Sequence, residues 1–520
     1  MLKTNESNTL KRNTLDLKIF LPSLIILFIF CIPFVKSESS SLDALNGLFD
    51  IIVNNFGWMY LWYPIILIGF GVYFMFSRYG KIVLGDPAEK SQFTFFEYAS
   101  IIVAMALGSS IMRTGMIQWI GVAMAPPFGL EPLSNEALMW GNPYGMFLWS
   151  FQTFSIYALS APAIGYLLFV RKAPVFRISE VCRCIFGDKF TDGIGGKILD
   201  ILFLVSIIAG SAVFLGLGTP IITNILTRMF NIQMSFGLTV TVCIVWVICF
   251  TISAYLGIEK GIKNLSTFNM YLAAVVGLFI ILAGPGVFIL NQFTDSVGFL
   301  LKNYIDISFY SNSLNLTAAD STQRYTVFWF AYVATWGLVQ CAFIAKVSKG
   351  RTIKEMLATI FLAPMLLSWV ITGILGGLSM HRYLTGAVNV IDIVKNGGGV
   401  MAVIPQVLET LPLPLLIMAA FLITTMIFLI TTLDSTTYTI AAYSSTEDMS
   451  KNEPAKNLRL LTAGVISGIA LLLLKIGGLG PLEVVSGLMG LPIIFVQFAT
   501  IYAFIKMANQ DKAWENNIRK

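Results

Sequence analysis

The sequence predicts an all-α membrane protein with twelve transmembrane helices, and three observations carry that prediction. Mean hydropathy is +0.79. Of the 520 residues, 56% are hydrophobic and only 12% charged, well outside the range of soluble globular domains. Apolar runs of about 20 residues, the length that crosses a bilayer, recur along the whole chain.

The first run, 17–36, follows Lys3, Lys11, Arg12 and Lys18 but has no small-residue cleavage site after a short apolar core, so it reads as a retained helix. The second, 57–77, comes after a polar stretch, 37–56. The third, 97–124, contains Ala106-Leu-Gly108-Ser-Ser-Ile-Met-Arg-Thr-Gly115, small residues that suit either an interrupted helix or close helix packing. The fourth to seventh runs are 146–169, 198–226, 236–256 and 270–292. Residues 298–321 mix apolar and charged positions, as a helix lying at the membrane surface does, and 349–362 repeat that pattern. Between these two segments lies the eighth span, 325–346; the ninth to twelfth are 356–378, 413–443, 458–474 and 482–506.

No polar linker separates soluble domains, so the chain reads as a tail (1–16), one membrane domain (17–506) and a second tail (507–520). The third and eighth spans are aromatic or polar where lipid-facing helices are aliphatic. The five-span separation of their starts fits two inverted five-helix repeats, 97–292 and 325–506, each opened by an interrupted helix. Two extra helices precede them. Of the 34 Lys and Arg, only Lys36, Arg228, Lys302, Arg324, Arg382, Lys395 and Lys475 fall on one face, and Arg113 lies inside a span. The rest fall on the face that holds both termini, which is therefore expected to be cytoplasmic. The net charge of +6 follows from this topology and calls for no nucleic-acid partner.

His381 is the single histidine and lies in a loop, which argues against His-based catalysis and His metal clusters. The six cysteines are scattered, and Cys182-Arg-Cys184 has too few neighbouring ligands for a metal. No H-E-x-x-H, G-x-S-x-G or G-x-x-x-x-G-K motif is present, and Gly397-Gly-Gly399 reads as a turn. No catalytic residues and no bound cofactor are expected.

Trp329, Tyr332 and Trp336 lie at i, i+3 and i+7 and share one helix face. Such a stripe packs against a core or against lipid, or it holds a cation without N–H groups, which ring faces attract without hydrogen bonds. Arg113 is the most costly group inside a span. In Phe428-Leu-Ile-Thr-Thr-Leu-Asp-Ser-Thr-Thr437, the hydroxyls of Thr431 and Thr432 with nearby carbonyls supply hard oxygen ligands for a monovalent cation, or bond to their own helix. Asp434 favours a functional reading, since an unpaired carboxylate is disfavoured in lipid.

Over nearly its whole length the chain resembles the betaine/carnitine/choline transporters. The resemblance rests on Ala125-Pro-Pro-Phe-Gly-Leu-Glu-Pro132, Tyr166-Leu-Leu-Phe-Val-Arg-Lys172, Leu215-Gly-Leu-Gly-Thr-Pro220, Phe293-Thr-Asp-Ser-Val-Gly298, Thr326-Val-Phe-Trp329 and Ser348-Lys-Gly-Arg-Thr352. Among members, the sequence is most like the carnitine/γ-butyrobetaine exchangers. The resemblance implies a secondary transporter of a small quaternary ammonium compound in a bacterial-type inner membrane. It also implies a homotrimer assembled through an interfacial helix at about 349–362.

The resemblance further implies an aromatic box for the trimethylammonium group, here Trp149, Phe154 and Tyr157 with Trp329, Tyr332, Val333 and Trp336. Phe154, Tyr332 and Val333 stand where the family has tryptophan. Losing one ring outright weakens binding by about one order of magnitude. The sodium-independent exchangers carry arginine at the position of Asn269. Asn269, Thr431 and Thr432 here match the sodium-coupled members. The implied sodium ligands are the two threonine hydroxyls with carbonyls near Ala104, Leu107 and Phe428. A second sodium site is half matched, by Ser211 with Ile207 where a hydroxyl is expected. Arg113 stands where the family has an aromatic residue and admits three readings: a resident charge in place of sodium, a partner for Asp434, or a ligand for a substrate carboxylate.

Overall fold

The computed structural model describes residues 15–518 except 37, 258–260, 314–320, 397–398, 447–448, 450–452 and 477–479. Among the described residues it is all helix and loop, with isolated β-bridges and no strand. Among the described residues, nine helices are long and apolar enough to cross a membrane, or ten when the bent pair Phe95–Leu107 and Ser110–Met124 counts as one span. Helices Leu17–Lys36 and Lys456–Ile476 occupy the places of the first and eleventh expected spans. The twelve expected apolar runs thus each coincide with helix.

Burial sorts the spans into inner and outer ones. The fourth span, 135–170, and the eighth, Tyr325–Val347, are each 94% buried, whereas Phe236–Ser253 and Lys263–Ala283 are 28% and 22% buried. The two aromatic-rich spans therefore sit at the centre of the bundle, and the aliphatic ones face lipid.

The third span breaks where its small residues predict. Gly108 ends Phe95–Leu107 with φ 52 and ψ −161, and the axis turns by 51° before Ser110–Met124. Helix ends of this kind leave carbonyls and amides without intrahelical partners near mid-membrane.

Several boundaries differ from the sequence expectation. The fourth span is not one helix over 146–169 but Asn135–Leu148, Phe151–Ala158, Ala161–Gly165 and a π-turn over Tyr166–Val170. Trp149 (φ −105, ψ 43) and the extended Ser150 break it, and Pro162 restarts it. The seventh span runs over Lys263–Ala283 rather than 270–292, because Gly284-Pro285 ends it and Pro285 has no N–H to continue it. The amphipathic segment placed at 298–321 is helical earlier, over Gly286–Ser308. Residues 349–362 do not form a separate interfacial helix: a capping box of Thr352 and Glu355 starts one continuous helix, Ile353–Leu384, which carries Pro364 inside it. From residue 38 on, the polar stretch belongs to helix Glu38–Phe76, and the twelfth helix extends to Gln510, into the expected tail. The expected first tail, save for Leu15 and Asp16, and two of the three glycines at 397–399 lie outside the described residues.

Candidate functional site

The breaks in the fourth span create the aromatic cluster. Because Asn135–Leu148 ends there, the Leu148 carbonyl is free to accept from outside the helix. Trp329 of the eighth span donates its indole N–H to that carbonyl at 2.9 Å and to Thr153 Oγ1 at 3.0 Å. Trp149, at the break itself, donates its own indole N–H at 3.0 Å to Thr114 Oγ1, whose hydroxyl bonds the Ser110 carbonyl at 2.9 Å. Two indole N–H groups thus tie the fourth span to the eighth and to the second half of the broken third. The ring faces are left for other contacts.

The rings form a continuous chain. Trp149 meets Trp329 at 5.1 Å between centroids and 70° between planes, and meets Phe154 at 6.3 Å. Phe154 meets Tyr157 at 5.9 Å, and Trp329 meets Tyr332 at 6.2 Å. Trp336 is buried but stands outside this chain: its ring stacks on Phe214 of the fifth span, at 4.9 Å and 14°. Of the six aromatic residues expected to form a site, five therefore join one cluster, and the sixth, Trp336, stacks on Phe214 instead. Phe214 had no signal in the sequence, being one phenylalanine in a uniformly apolar helix. Val333 is fully buried.

Arg113 lies on the second half of the third span, one residue before Thr114. It makes no ion pair or hydrogen bond with another described residue, and its Nε is buried without a partner. Asp434 is not its partner. The Asp434 carboxylate is fully buried, pairs with Arg459 of the eleventh helix and accepts from Ser253 Oγ at 2.7 Å. Arg459 sits in the first turn of its helix, where a basic residue reads as an interfacial anchor, so the sequence concealed this pairing.

The tenth span approaches the broken third span at Thr432. Its Oγ1 lies 2.8 Å from the Phe428 carbonyl and 3.4 Å from that of Ala104. Thr431 bonds the Ile427 and Phe428 carbonyls at 3.0 Å each, the back-bonding usual for threonine in a helix. Ala104, Phe428 and Thr432 oxygens therefore converge, Thr431 shares the Phe428 carbonyl, and Leu107 is the last residue before the break. Such hydroxyl and carbonyl oxygens are hard donors that suit a small monovalent cation. Ser211 Oγ bonds the Ile207 carbonyl of its own helix. Asn269 is fully buried, and neither of its amide atoms finds a protein partner.

An all-helical bundle whose third and fourth spans are broken around a buried aromatic cluster, with the eighth span a continuous helix over Ser321–Val347 rather than the interrupted one the sequence predicts, has the build of a membrane transporter. The chain belongs to the betaine/carnitine/choline family: the model of the betaine/carnitine/choline family transporter matches residues 18–513. Among solved structures, a Na+-coupled sialic acid symporter in its substrate-bound outward-open state is similar at 13% identity, with 86% of each chain covered and a TM-score of 0.46.

Proposed function

We propose that this transporter carries a trimethylammonium zwitterion, such as glycine betaine or carnitine, by alternating access and in symport with sodium. The single observation that carries the reading is an aromatic chain, Trp149, Phe154, Tyr157, Trp329 and Tyr332, tied through Trp149 to Thr114, next in sequence to Arg113, whose guanidinium has no partner among the described residues. Ring faces attract the methylated ammonium, which has no N–H to donate. A guanidinium without a carboxylate of its own suits the other end of a zwitterion. Trp336, stacked on Phe214, closes the same site from the fifth-span side. On this reading choline, which lacks a carboxylate, is the poorer substrate.

Sodium is assigned to the oxygens of Thr431 and Thr432 and the carbonyls of Ala104, Leu107 and Phe428. The neutral Asn269 supports it, since no resident positive charge stands at that position. Entry of one sodium charge down about 100 mV supplies roughly 2.3 kcal/mol, about fifty-fold accumulation of a zwitterion per ion. The two inverted repeats, 97–292 and 325–506, would rock against each other around the site. The distribution of Lys and Arg supports a bacterial inner-membrane protein with both termini cytoplasmic, and the family resemblance supports a homotrimer.

A second reading, sodium-independent exchange of carnitine-like substrates, is favoured by Arg113 if its charge stands in for sodium. Uptake into proteoliposomes with and without a sodium gradient separates the two. Symport predicts sodium-driven accumulation into empty vesicles. Sodium-indifferent uptake that requires preloaded substrate would establish exchange. A labelled panel of betaine, carnitine, γ-butyrobetaine, choline and ectoine then identifies the substrate.

A further inference from the structure

From the geometry we infer that Lys346 and Tyr438 form a release-side station for the substrate's carboxylate, one that receives it after it leaves Arg113. This rests on the zwitterion reading above and goes beyond it, since it concerns the path on the side expected to be cytoplasmic.

Lys346 belongs to the helix that carries the aromatic stripe. Tyr332, Val339 and Lys346 are spaced by seven residues, so they follow one side of that helix, and Lys346 lies about 21 Å along the axis from Tyr332. Val339 faces the tenth span, because its carbonyl accepts from Thr439 Oγ1 at 3.4 Å. One turn or two beyond that contact, Lys346, Tyr438 and Thr439 line a small cavity of about 20 Å³. The cavity is sealed by Phe169, Phe176 and Met449, from the end of the fourth span and from two loops. That volume holds about one water molecule, not a substrate, so the station is closed in this conformation.

The Lys346 ammonium makes no hydrogen bond or ion pair with another described residue. The charged groups that act on it are Glu453, which is exposed, and Lys349, which is itself paired to Glu89 at 2.7 Å. An ammonium in a mostly apolar enclosure without a partner carries a cost that an incoming anion offsets. A zwitterion leaving the rings faces the complementary cost: its carboxylate must cross the same low-dielectric layer unpaired unless a cation meets it. Lys346 supplies that cation, and Tyr438, which lines the same cavity, brings a hydroxyl that can donate once the cavity opens. Opening requires that Phe169, Phe176 and Met449 move aside, which breaks the contact of Phe169 with Lys349, that of Phe176 with Tyr443 and the Met449 N–H bond to the Pro174 carbonyl. The ordinary alternative is a lysine whose ammonium snorkels to water and takes no part in transport.

The full-length protein in oriented proteoliposomes tests this by measuring half-saturation for the zwitterion separately from each side of the membrane. Lys346→Met is expected to raise it at least ten-fold from the side that bears loop 171–193 and by less than two-fold from the other, and Lys346→Arg to restore it. Transport of choline, if carried, is expected to be insensitive to Lys346→Met. Equal changes from both sides, or no change, overturn the station while leaving the zwitterion reading intact. A wild-type protein that carries no zwitterion overturns both. If Lys346→Met does not fold, Lys346→Gln and Tyr438→Phe provide the same sided comparison.

Discussion

Phe214 stacks on Trp336 with centroids 4.9 Å apart and planes 14° from parallel, and the edge of the same ring lies against Gly108 at the break of the third span. One side chain therefore joins Trp336 to the break of the third span. A Cβ at Gly108 would lie 2.4 Å from Phe214 Cζ and 2.9 Å from Thr432 Oγ1.

Gly108→Ala is accordingly expected to abolish transport while leaving the protein folded. Two costs act together: the contact with Phe214 and a φ of 52, where a non-glycine residue pays about 1–3 kcal/mol. Gly108→Ala with Phe214→Ala relieves only the first and should regain part of the activity. Substrate uptake, alongside the elution profile of the purified protein, checks this. Wild-type uptake by Gly108→Ala would show that the break tolerates a side chain.

The two tryptophans of the eighth span should separate scaffold from ligand. Trp336 makes no indole hydrogen bond, so Trp336→Ala removes a ring face, and its Km should rise by roughly three- to thirty-fold with folding unaffected. Trp329→Phe keeps a ring but loses the bonds to Leu148 and Thr153, so it should lower thermal stability as well as affinity. An unchanged Km for Trp336→Ala would remove that residue from the site.

Thr432 bridges two helices, whereas the hydroxyl of Thr431 bonds only within its own. Thr432→Ala is therefore expected to raise the sodium concentration for half-maximal uptake at least ten-fold, and Thr432→Ser to leave it near the wild-type value. Thr431→Ala should act more weakly unless the hydroxyl turns from its helix toward the ion. Sodium titration of uptake distinguishes these outcomes, and identical curves for all three variants would exclude an ion at Thr432.

The buried pair Asp434–Arg459 should behave as a structural tie. Arg459→Met leaves a carboxylate with 0% exposure held only by Ser253, a loss of about 3–5 kcal/mol for a pair broken on one side. The double variant Asp434→Leu with Arg459→Met removes both charges and should be markedly more stable than the single one. Thermal unfolding in detergent measures the difference, and equal destabilisation would show that the two residues are not coupled.

These residues also mark the limit of what the chain disclosed before its fold. Long apolar runs expose the spans because hydropathy is a local property. The break at Gly108 was visible for the same reason: glycine and serine stand together there. Gly284-Pro285 was equally local, yet Val287-Phe-Ile-Leu290 continues the apolar run past it, and a window of about 20 residues averages the stop away. The stripe Trp329, Tyr332 and Trp336 is legible as one helix face, but the anchors of Trp329, Leu148 and Thr153, are 181 and 176 residues away in sequence and come together only through tertiary packing. The pairing of Arg459 with Asp434 and the stacking of Phe214 on Trp336 were unreadable because a terminal-turn arginine and a phenylalanine in an apolar helix are the most ordinary features of a membrane protein.

Cys182 and Cys184 offer a test in the loop outside the spans. Burial pushes the Cys182 thiol up to about 12, and the half-buried Cys184 is also raised, with Arg171 and Lys506 partly opposing the burial. The thiolate is the reactive form, so Cys182 should react with iodoacetamide orders of magnitude more slowly than an ordinary thiol at pH 7.5. Its rate should rise about ten-fold per pH unit through pH 10, where a free cysteine with a pKa near 8.5 has already levelled off. Mass spectrometry of the folded protein after timed alkylation at a series of pH values measures both slopes. A plateau for Cys182 near pH 9 would mean that the loop opens to solvent on the timescale of the reaction.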